Sequence, residues 1–112
     1  MSDVPVQQNP IICALDTQEV EEATHVARAV APHVGAVKLG LEFFTANGAA
    51  GVSAITRLGI PVFLDLKFHD IPNTVAKAIA ATVGMNTFMM TVHTSGGQHM
   101  LRAAIEASDQ IA

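Results

Sequence analysis

Four charged side chains of alternating sign are the residues best suited to chemistry in this sequence: Lys38, Asp65, Lys67 and Asp70. Side chains alternate along a strand, so Asp65 and Lys67 share one face of the run that begins at Val62. An unpaired buried carboxylate or ammonium is costly, which makes Lys38 and Asp70 the available partners. A cluster of two ammonium groups and two carboxylates keeps its members ionised. Lys67 would then be an ammonium that can donate a proton to a developing carbanion.

Several of these polar residues also have a purely structural explanation. An ion pair at the end of a core strand explains Asp65 and Lys67, taken alone, as well as catalysis does. Lys38 could extend from a strand end into solvent. Asp16 and Thr17 follow the first apolar run, and either could cap the next helix; for Asp16, residue type alone favours this role.

Four apolar runs predict four strands, over residues 11–15, over 34–40, from 62 onward, and over 87–92. The third run is bounded by Gly59 and Pro61 and is typical of a strand buried on both faces of a parallel sheet. Apolar residues at helical spacing predict a helix after each strand. The first predicted helix ends at Pro32, and the second covers residues 49–58 with Gly59 as its C-cap. The third runs from Pro72 to near Gly84, and the fourth covers residues 98–107.

The strand ends Asp16, Lys38, Asp65 and His93 follow one another at steps of 22, 27 and 28 residues. This spacing approximates the repeat of roughly 30 residues in a (β/α)8 barrel. We therefore predict an α/β fold of the TIM-barrel family, with about the first four βα units of the barrel. An N-terminal leader is expected over residues 1–10 and a partial (β/α) barrel domain over 11–112. Barrel enzymes place their sites at the C-terminal strand ends, where these polar residues concentrate.

Composition argues against several classes of function. With a net charge of −4 and neither Trp nor Tyr, the chain offers no basic face or stacking platform for nucleic acid. Its one cysteine, Cys13, is interpreted as a buried, inert thiol of a protein from a reducing compartment. No secretory signal is recognisable, and the longest uncharged span is too polar for a membrane helix. We expect a cytoplasmic protein that binds neither nucleic acid nor membrane.

A resemblance to orotidine 5'-phosphate decarboxylases rests on the string Asp65-Leu66-Lys67-Phe68-His69-Asp70-Ile71-Pro72-Asn73-Thr74-Val75. The similarity covers essentially residues 11–105. It includes the strand ending in Asp16, the Val37-Lys38-Leu39-Gly40 element and the strand end Thr91-Val92-His93. The resemblance implies a carbon–carbon lyase that converts orotidine 5'-phosphate to UMP in de novo pyrimidine biosynthesis, without a metal or an organic cofactor.

The resemblance also implies roles for single residues in catalysis and substrate binding. Asp16 and Lys38 would contact the ribose hydroxyls. Asp65 would lie against the departing carboxylate, and Lys67 would protonate C6 once carbon dioxide has left. Lys38, Asp65, Lys67 and Asp70 together would form the catalytic charge network, in which Lys67 stabilises the carbanion electrostatically.

The same resemblance implies contributions from other parts of the assembly. Asp70, Ile71 and Thr74 would reach into the active site of a neighbouring subunit, so a homodimer or higher oligomer is implied. Members of the family hold the substrate phosphate with groups from the last units of the barrel. In this sequence all three arginines, Arg28, Arg57 and Arg102, fall in predicted helices. We therefore expect the 112 residues by themselves to show no turnover above background.

Two alternative functions are consistent with parts of the sequence. Sugar-phosphate enzymes such as 3-keto-gulonate 6-phosphate decarboxylase and hexulose phosphate synthase share Asp-x-Lys-x-x-Asp but use magnesium, bound partly by an acid near the end of the second strand. That place holds Lys38, which repels a cation. The other alternative is a non-catalytic half-barrel assembly module that dimerises through its exposed strands. Such a module has no need for four alternating charges at strand ends.

Overall fold

The computed structural model describes residues 9–111, which form a parallel four-stranded sheet with a helix after each strand. The elements are β1 (Ile12–Ala14), α1 (Val20–Val30), β2 (Ala36–Gly40), α2 (Leu41–Thr56), β3 (Val62–Phe68), α3 (Pro72–Ala81), β4 (Met89–Val92) and α4 (Gln98–Ile111). The strands lie in the order β1-β2-β3-β4. The predicted α/β fold of four consecutive βα units is confirmed. The leader predicted over residues 1–10 lies, apart from its last two residues, outside the described part of the chain.

The helices cover one face of the sheet, and alternate residues of the central strands form the core beneath them. Val37 and Leu39 of β2 and Val62 and Leu64 of β3 are each at most 1% exposed. They pack against apolar side chains of α1 and α2, which are Ala23, Ala27, Phe43, Val52 and Ile55. A second cluster joins α3 to α4 through Val75, Ile79, Met100, Ala104 and Ala107. The intervening strand residues, including Lys38 and Asp65, therefore project from the opposite face.

The strand register places the charged residues Lys38 and Asp65 on neighbouring strands, toward the end of the sheet where the strands have their carboxyl ends. Ala14 of β1 pairs with Lys38 of β2, and Lys38 pairs in turn with Phe63 of β3. Gly40 pairs with Asp65. Because the strands are parallel, the carboxyl ends of β1, β2 and β3 lie at the same end of the sheet.

The pairing of β3 with β4 is interrupted near the end of β3. Leu64 lies opposite Met90 and Phe68 lies opposite Val92, with an irregularity between the two pairs. Three β3 residues (65–67) therefore lie opposite one β4 residue, Thr91. Lys67 lies within this bulge and has φ 53, a left-handed conformation that is unfavourable for residues other than glycine.

The second helix contains a segment that was not predicted. It starts at Leu41, directly after β2, whereas the predicted helix starts at residue 49. Gly48, with φ 64 and ψ −160, is non-helical and forms a kink between the helical segment before it and the one after it, so the predicted start coincides with the second segment. Phe43 is buried in the core at 1% exposure, and the Asn47 side chain donates hydrogen bonds to the carbonyls of Phe43 and Gln18. This packing keeps the segment helical before the Asn47-Gly48 pair.

The ends of the helices also differ from the predictions. The C-cap of α2 is Arg57, and Gly59 lies two residues beyond it with φ 87. After α3 the chain makes a 3-10 turn over Thr82–Met85, and Asn86, not Gly84, takes the left-handed conformation. The last helix continues beyond its predicted end at residue 107 to Ile111, and Ala104 and Ala107 bury its apolar side against α3.

Within the described residues, β1 and β4 are the free edges of the sheet. Ile12 of β1 is 39% exposed and Met89 of β4 is 40% exposed. Cys13, predicted to be buried, is only partly buried, because its strand is the edge strand β1.

Candidate active site

The centre of the charged cluster is the carboxylate of Asp65, which is 7% exposed. Its Oδ2 lies 3.3 Å from the Lys38 ammonium and 3.1 Å from the Lys67 ammonium. Its Oδ1 accepts a hydrogen bond of 2.7 Å from the Thr91 hydroxyl. A buried carboxylate needs hydrogen-bond donors or positive charges nearby, and here three donors from three strands share its two oxygens.

Burial and hydrogen bonding act in opposite directions on the pKa of Asp65. Burial by itself raises the pKa of this carboxyl, because it removes water from the charged form. Hydrogen bonds from Thr91, Lys67 and Lys38, together with the positive charge of Lys67, outweigh the burial and lower the pKa below its ordinary value of 3.8. Asp65 is therefore a stable anion at neutral pH.

The two lysines are more accessible than the aspartate that they contact. The Lys38 side chain is 30% exposed and that of Lys67 is 58% exposed. With one carboxylate for two ammonium groups, the three side chains carry a formal charge of +1. An excess positive charge on the uncovered face of the sheet favours the approach of an anionic ligand.

The structure brings together three of the four predicted charges and leaves Asp70 apart from them. No ion pair in residues 9–111 involves Asp70, whose Oδ1 instead accepts a 2.7 Å hydrogen bond from the N–H of Ile71. The chain turns away from the sheet at this point because Pro72 begins α3. The expected convergence of four charges within one chain is thus wrong for Asp70.

The segment that includes Asp70 is exposed. Asp70, Ile71 and Thr74 all lie at the surface, and Ile71 is 64% exposed. Asp70 and Ile71, together with Pro72, line one side of an open groove of about 450 Å³. A large apolar side chain beside a free carboxylate at a helix start is well placed for a contact outside the chain.

Asp16 is exposed at the end of β1 and does not have the capping role that its residue type favours. The N-cap of α1 is Glu19, which makes no side-chain capping bond. Thr17 orders this turn instead, since its hydroxyl accepts from the N–H of Glu19 at 3.1 Å and donates to Glu22 at 2.6 Å. Asp16 lies two residues beyond Ala14, the last residue of β1, which pairs with Lys38 of β2.

Two features of the site were missed in the sequence. Thr91 contacts both Asp65 and the backbone of Lys67, although a threonine in an apolar strand is normally unremarkable. The rings of His69 and His93 stack with their centroids 4.8 Å apart. His93 Nδ1 also accepts a 3.1 Å hydrogen bond from the N–H of Ser95, which fixes the turn before α4. Because side chains alternate along β4, the sequence could have indicated that Thr91 faces the cluster. No local sequence signal indicates that His69 and His93 stack.

The described part of the chain contains neither a metal-binding cluster nor a helix that could cross a membrane. No group of three or more His, Cys, Asp or Glu side chains in residues 9–111 is arranged to hold a metal ion. Over the same residues, no helix has the length and apolar character needed to cross a membrane.

Comparison with known proteins relates the whole described segment to one family. The profile of the orotidine 5'-phosphate decarboxylase / HUMPS family matches residues 9–111. A protein of Ehrlichia canis (strain Jake) named orotidine 5'-phosphate decarboxylase is 52% identical over 99 residues, which are 88% of this chain and 43% of the relative. The chain thus spans less than half the length of this curated relative.

Two solved structures have the same arrangement of strands and helices. Orotidine 5'-phosphate decarboxylase from Pyrococcus horikoshii OT3 superposes with a TM-score of 0.80 at 27% identity, over 86% of this chain and 47% of that one. An uncharacterized conserved protein from Geobacillus kaustophilus superposes with a TM-score of 0.81 at 39% identity, over 90% of this chain and 47% of that one. The four βα units correspond to about half of each of these chains.

Proposed function

Because the chain belongs to the orotidine 5'-phosphate decarboxylase / HUMPS family, we propose that it supplies the reacting cluster for the decarboxylation of orotidine 5'-phosphate to UMP. This reaction is a step of de novo pyrimidine biosynthesis. The observation that carries the proposal is the buried Asp65 carboxylate, held between two ammonium groups at 3.1 and 3.3 Å. A cluster of this kind can both accept an anionic substrate and supply a proton.

In the proposed reaction the bond between C6 and the substrate carboxylate breaks, and carbon dioxide leaves. The electron pair of that bond remains on C6. The Lys67 ammonium stabilises this carbanion and then gives it a proton, which produces UMP and a neutral lysine that regains its proton from water. Asp65 lies against the departing carboxylate and keeps the ammonium of Lys67 oriented toward the site.

Lys38 and Asp16 are proposed to bind the ribose hydroxyls. Lys38 is in the middle of β2, the strand next to the one that holds Asp65, and Asp16 follows the end of β1 on the other side of β2. Lys38 is the better supported of the two, because its ammonium already contacts Asp65 at 3.3 Å. Its positive charge in β2 also disfavours the magnesium-dependent reactions, since a divalent cation would be repelled there.

We propose that Asp70, Ile71 and Thr74 complete the active site of a second subunit. Asp70 makes no ion pair within residues 9–111, and Ile71 is 64% exposed. An aspartate from a partner would return the +1 cluster to neutrality. The proposed assembly is accordingly a homodimer or a higher oligomer.

The test is a fusion of this chain to the part of the Ehrlichia canis relative that lies beyond the matched 99 residues. Orotidine 5'-phosphate is supplied, and its loss is followed by absorbance. We expect the fusion to turn the substrate over, and the 112 residues alone to give no loss above background. Failure of a well-folded fusion to decarboxylate would contradict the proposed function.

Lys67→Ala in the fusion tests the assignment of the proton donor. We expect turnover to be lost while the circular dichroism spectrum is unchanged, because 58% of this side chain is exposed and its loss leaves no cavity in the core. Lys77→Ala removes an exposed lysine from α3 and is the matched control, with turnover expected to persist. A Lys67→Ala fusion with near-normal turnover would refute the assignment.

A further inference from the structure

The hydroxyl of Thr91 makes two hydrogen bonds that connect both reacting side chains of β3. It donates to Asp65 Oδ1 at 2.7 Å and accepts from the backbone N–H of Lys67 at 2.9 Å. Both distances are typical of well-formed hydrogen bonds. A hydroxyl is the one uncharged side-chain group of this size that can donate and accept at the same time, whereas valine has the same shape and can do neither.

The position of Thr91 in the sheet explains why this hydroxyl is needed. Because Leu64 pairs with Met90 and Phe68 pairs with Val92, Thr91 is the one β4 residue opposite a bulge of three β3 residues. The register of β3 with β4 is irregular at this point, and here the N–H of Lys67 donates to the Thr91 hydroxyl.

The bulge also gives Lys67 its unusual backbone conformation. Its φ of 53 is unfavourable for a side chain with a Cβ, so surrounding contacts must hold it. The hydrogen bond to Thr91 is made by the N–H of this same residue. The direction in which the Lys67 side chain leaves the strand thus depends on that contact.

The other hydrogen bond of Thr91 sets the orientation of the Asp65 carboxylate. With Oδ1 occupied by Thr91, Oδ2 is the oxygen that receives both ammonium groups. Rotation of the carboxylate would break the contact with Thr91 and change both lysine contacts at once. One side chain therefore constrains the aspartate and the backbone of the proton donor.

We propose that Thr91 is a positioning residue of the reacting cluster, which fixes the Lys67 bulge and the Asp65 carboxylate through a single hydroxyl. A role of Thr91 in catalysis rests on the proposed function, but its two hydrogen bonds can be tested without substrate. Thr91 acts through Lys67 and Asp65, and it has no assigned contact with the reacting atoms.

The test is nuclear magnetic resonance on the 112-residue chain and two variants. In Thr91→Val, the pKa of the Asp65 carboxyl should rise, because the first of the hydrogen bonds that lower it is lost. Hydrogen exchange of the Lys67 amide should become about tenfold faster, because its acceptor is gone. Thr91→Ser keeps the hydroxyl and should restore both properties to the wild-type values.

A matched control separates these effects from a general loss of stability. Thr56→Val also removes a hydroxyl hydrogen bond, the 3.1 Å bond from Thr56 to the carbonyl of Ser53 near the end of α2. It should leave the Asp65 pKa and the Lys67 exchange rate unchanged. An Asp65 pKa and a Lys67 exchange rate that stay at wild-type values in Thr91→Val would overturn the proposal.

A direct measurement on the wild-type chain covers the case in which Thr91→Val does not fold. The Thr91 hydroxyl proton should exchange slowly and show a nuclear Overhauser contact to the Lys67 amide proton. Absence of both signals would also overturn the proposal. None of these measurements depends on turnover. An inactive fusion would therefore count against the proposed function, and the role of Thr91 would still be decided by the magnetic resonance measurements.

Discussion

Replacing Asp65 with asparagine removes the negative charge of the cluster and nearly preserves its shape. The Lys38 and Lys67 ammonium nitrogens lie 3.3 and 3.1 Å from the same oxygen, so they are at most about 6.4 Å apart. Two unit positive charges at about that distance repel by roughly 0.7 kcal/mol in bulk water and by roughly 2.6 kcal/mol at an effective dielectric constant of 20. In the wild-type chain the carboxylate offsets this repulsion.

The exposure of the lysines decides where within that range the effect should fall. Their side chains are 30% and 58% exposed, so solvent screens much of the repulsion. Asparagine keeps an acceptor oxygen, but hydrogen bonds to a neutral acceptor are weaker than those to a carboxylate. We expect Asp65→Asn to lower the free energy of unfolding by about 1–3 kcal/mol at neutral pH.

Urea unfolding at pH 7, followed by circular dichroism, measures this difference. Because the repulsion is screened over about 10 Å at 0.1 M salt and about 3 Å at 1 M, the destabilisation should be smaller at 1 M salt. Asp109→Asn, at an exposed position of α4, is the matched control and should have little effect. A variant as stable as the wild type, or a loss independent of salt, would refute this account of the cluster.

Two other predictions concern acid stability and the core. Since the folded-state pKa of Asp65 lies below its ordinary value of 3.8, its stabilising contribution is present above that pH and is lost as the pH falls through the folded-state value. Urea titrations from pH 7 to 2 should show this loss in the wild type and not in Asp65→Asn; parallel curves would contradict it. Leu64→Ala, at a fully buried position of the central strand, should lower the unfolding free energy by about 2–5 kcal/mol. Ile105→Ala, 61% exposed on α4, should change it by less than about 0.5 kcal/mol in the same urea assay, and similar losses for the two variants would contradict the packing argument.

The order of the helices and strands, and the central strand β3, could be predicted from local patterns of residue types. Apolar runs, helical periodicity and the prolines are local signals, and they predict four βα units without reference to any distant contact. The alternation along residues 62–67 separated a packing face from a face with Asp65 and Lys67. The charge of Lys38 could be paired with Asp65 because parallel strands place their carboxyl ends at one edge.

Element boundaries were less predictable where distant packing opposes a local signal. Asn47-Gly48 is a strong turn signal, yet the segment before it is helical because Phe43 reaches the core and Asn47 bonds to Gln18, 29 residues away. The residue type of Asp16 favoured a cap, but Thr17 orders the start of α1. In each case the outcome depended on contacts or geometry that the residue types in that segment do not specify.

The arrangement of the charges around Asp65 depends on distant contacts. Asp70 follows Lys67 by three residues in the sequence, but it makes no ion pair within residues 9–111, and its Oδ1 accepts a hydrogen bond from the N–H of Ile71 just before α3. Thr91 lies 26 residues from Asp65 along the chain and reaches it only because β4 pairs with a bulged β3. Residue types determine which charges are available, whereas the strand register and its irregularities determine which of them come within hydrogen-bonding distance.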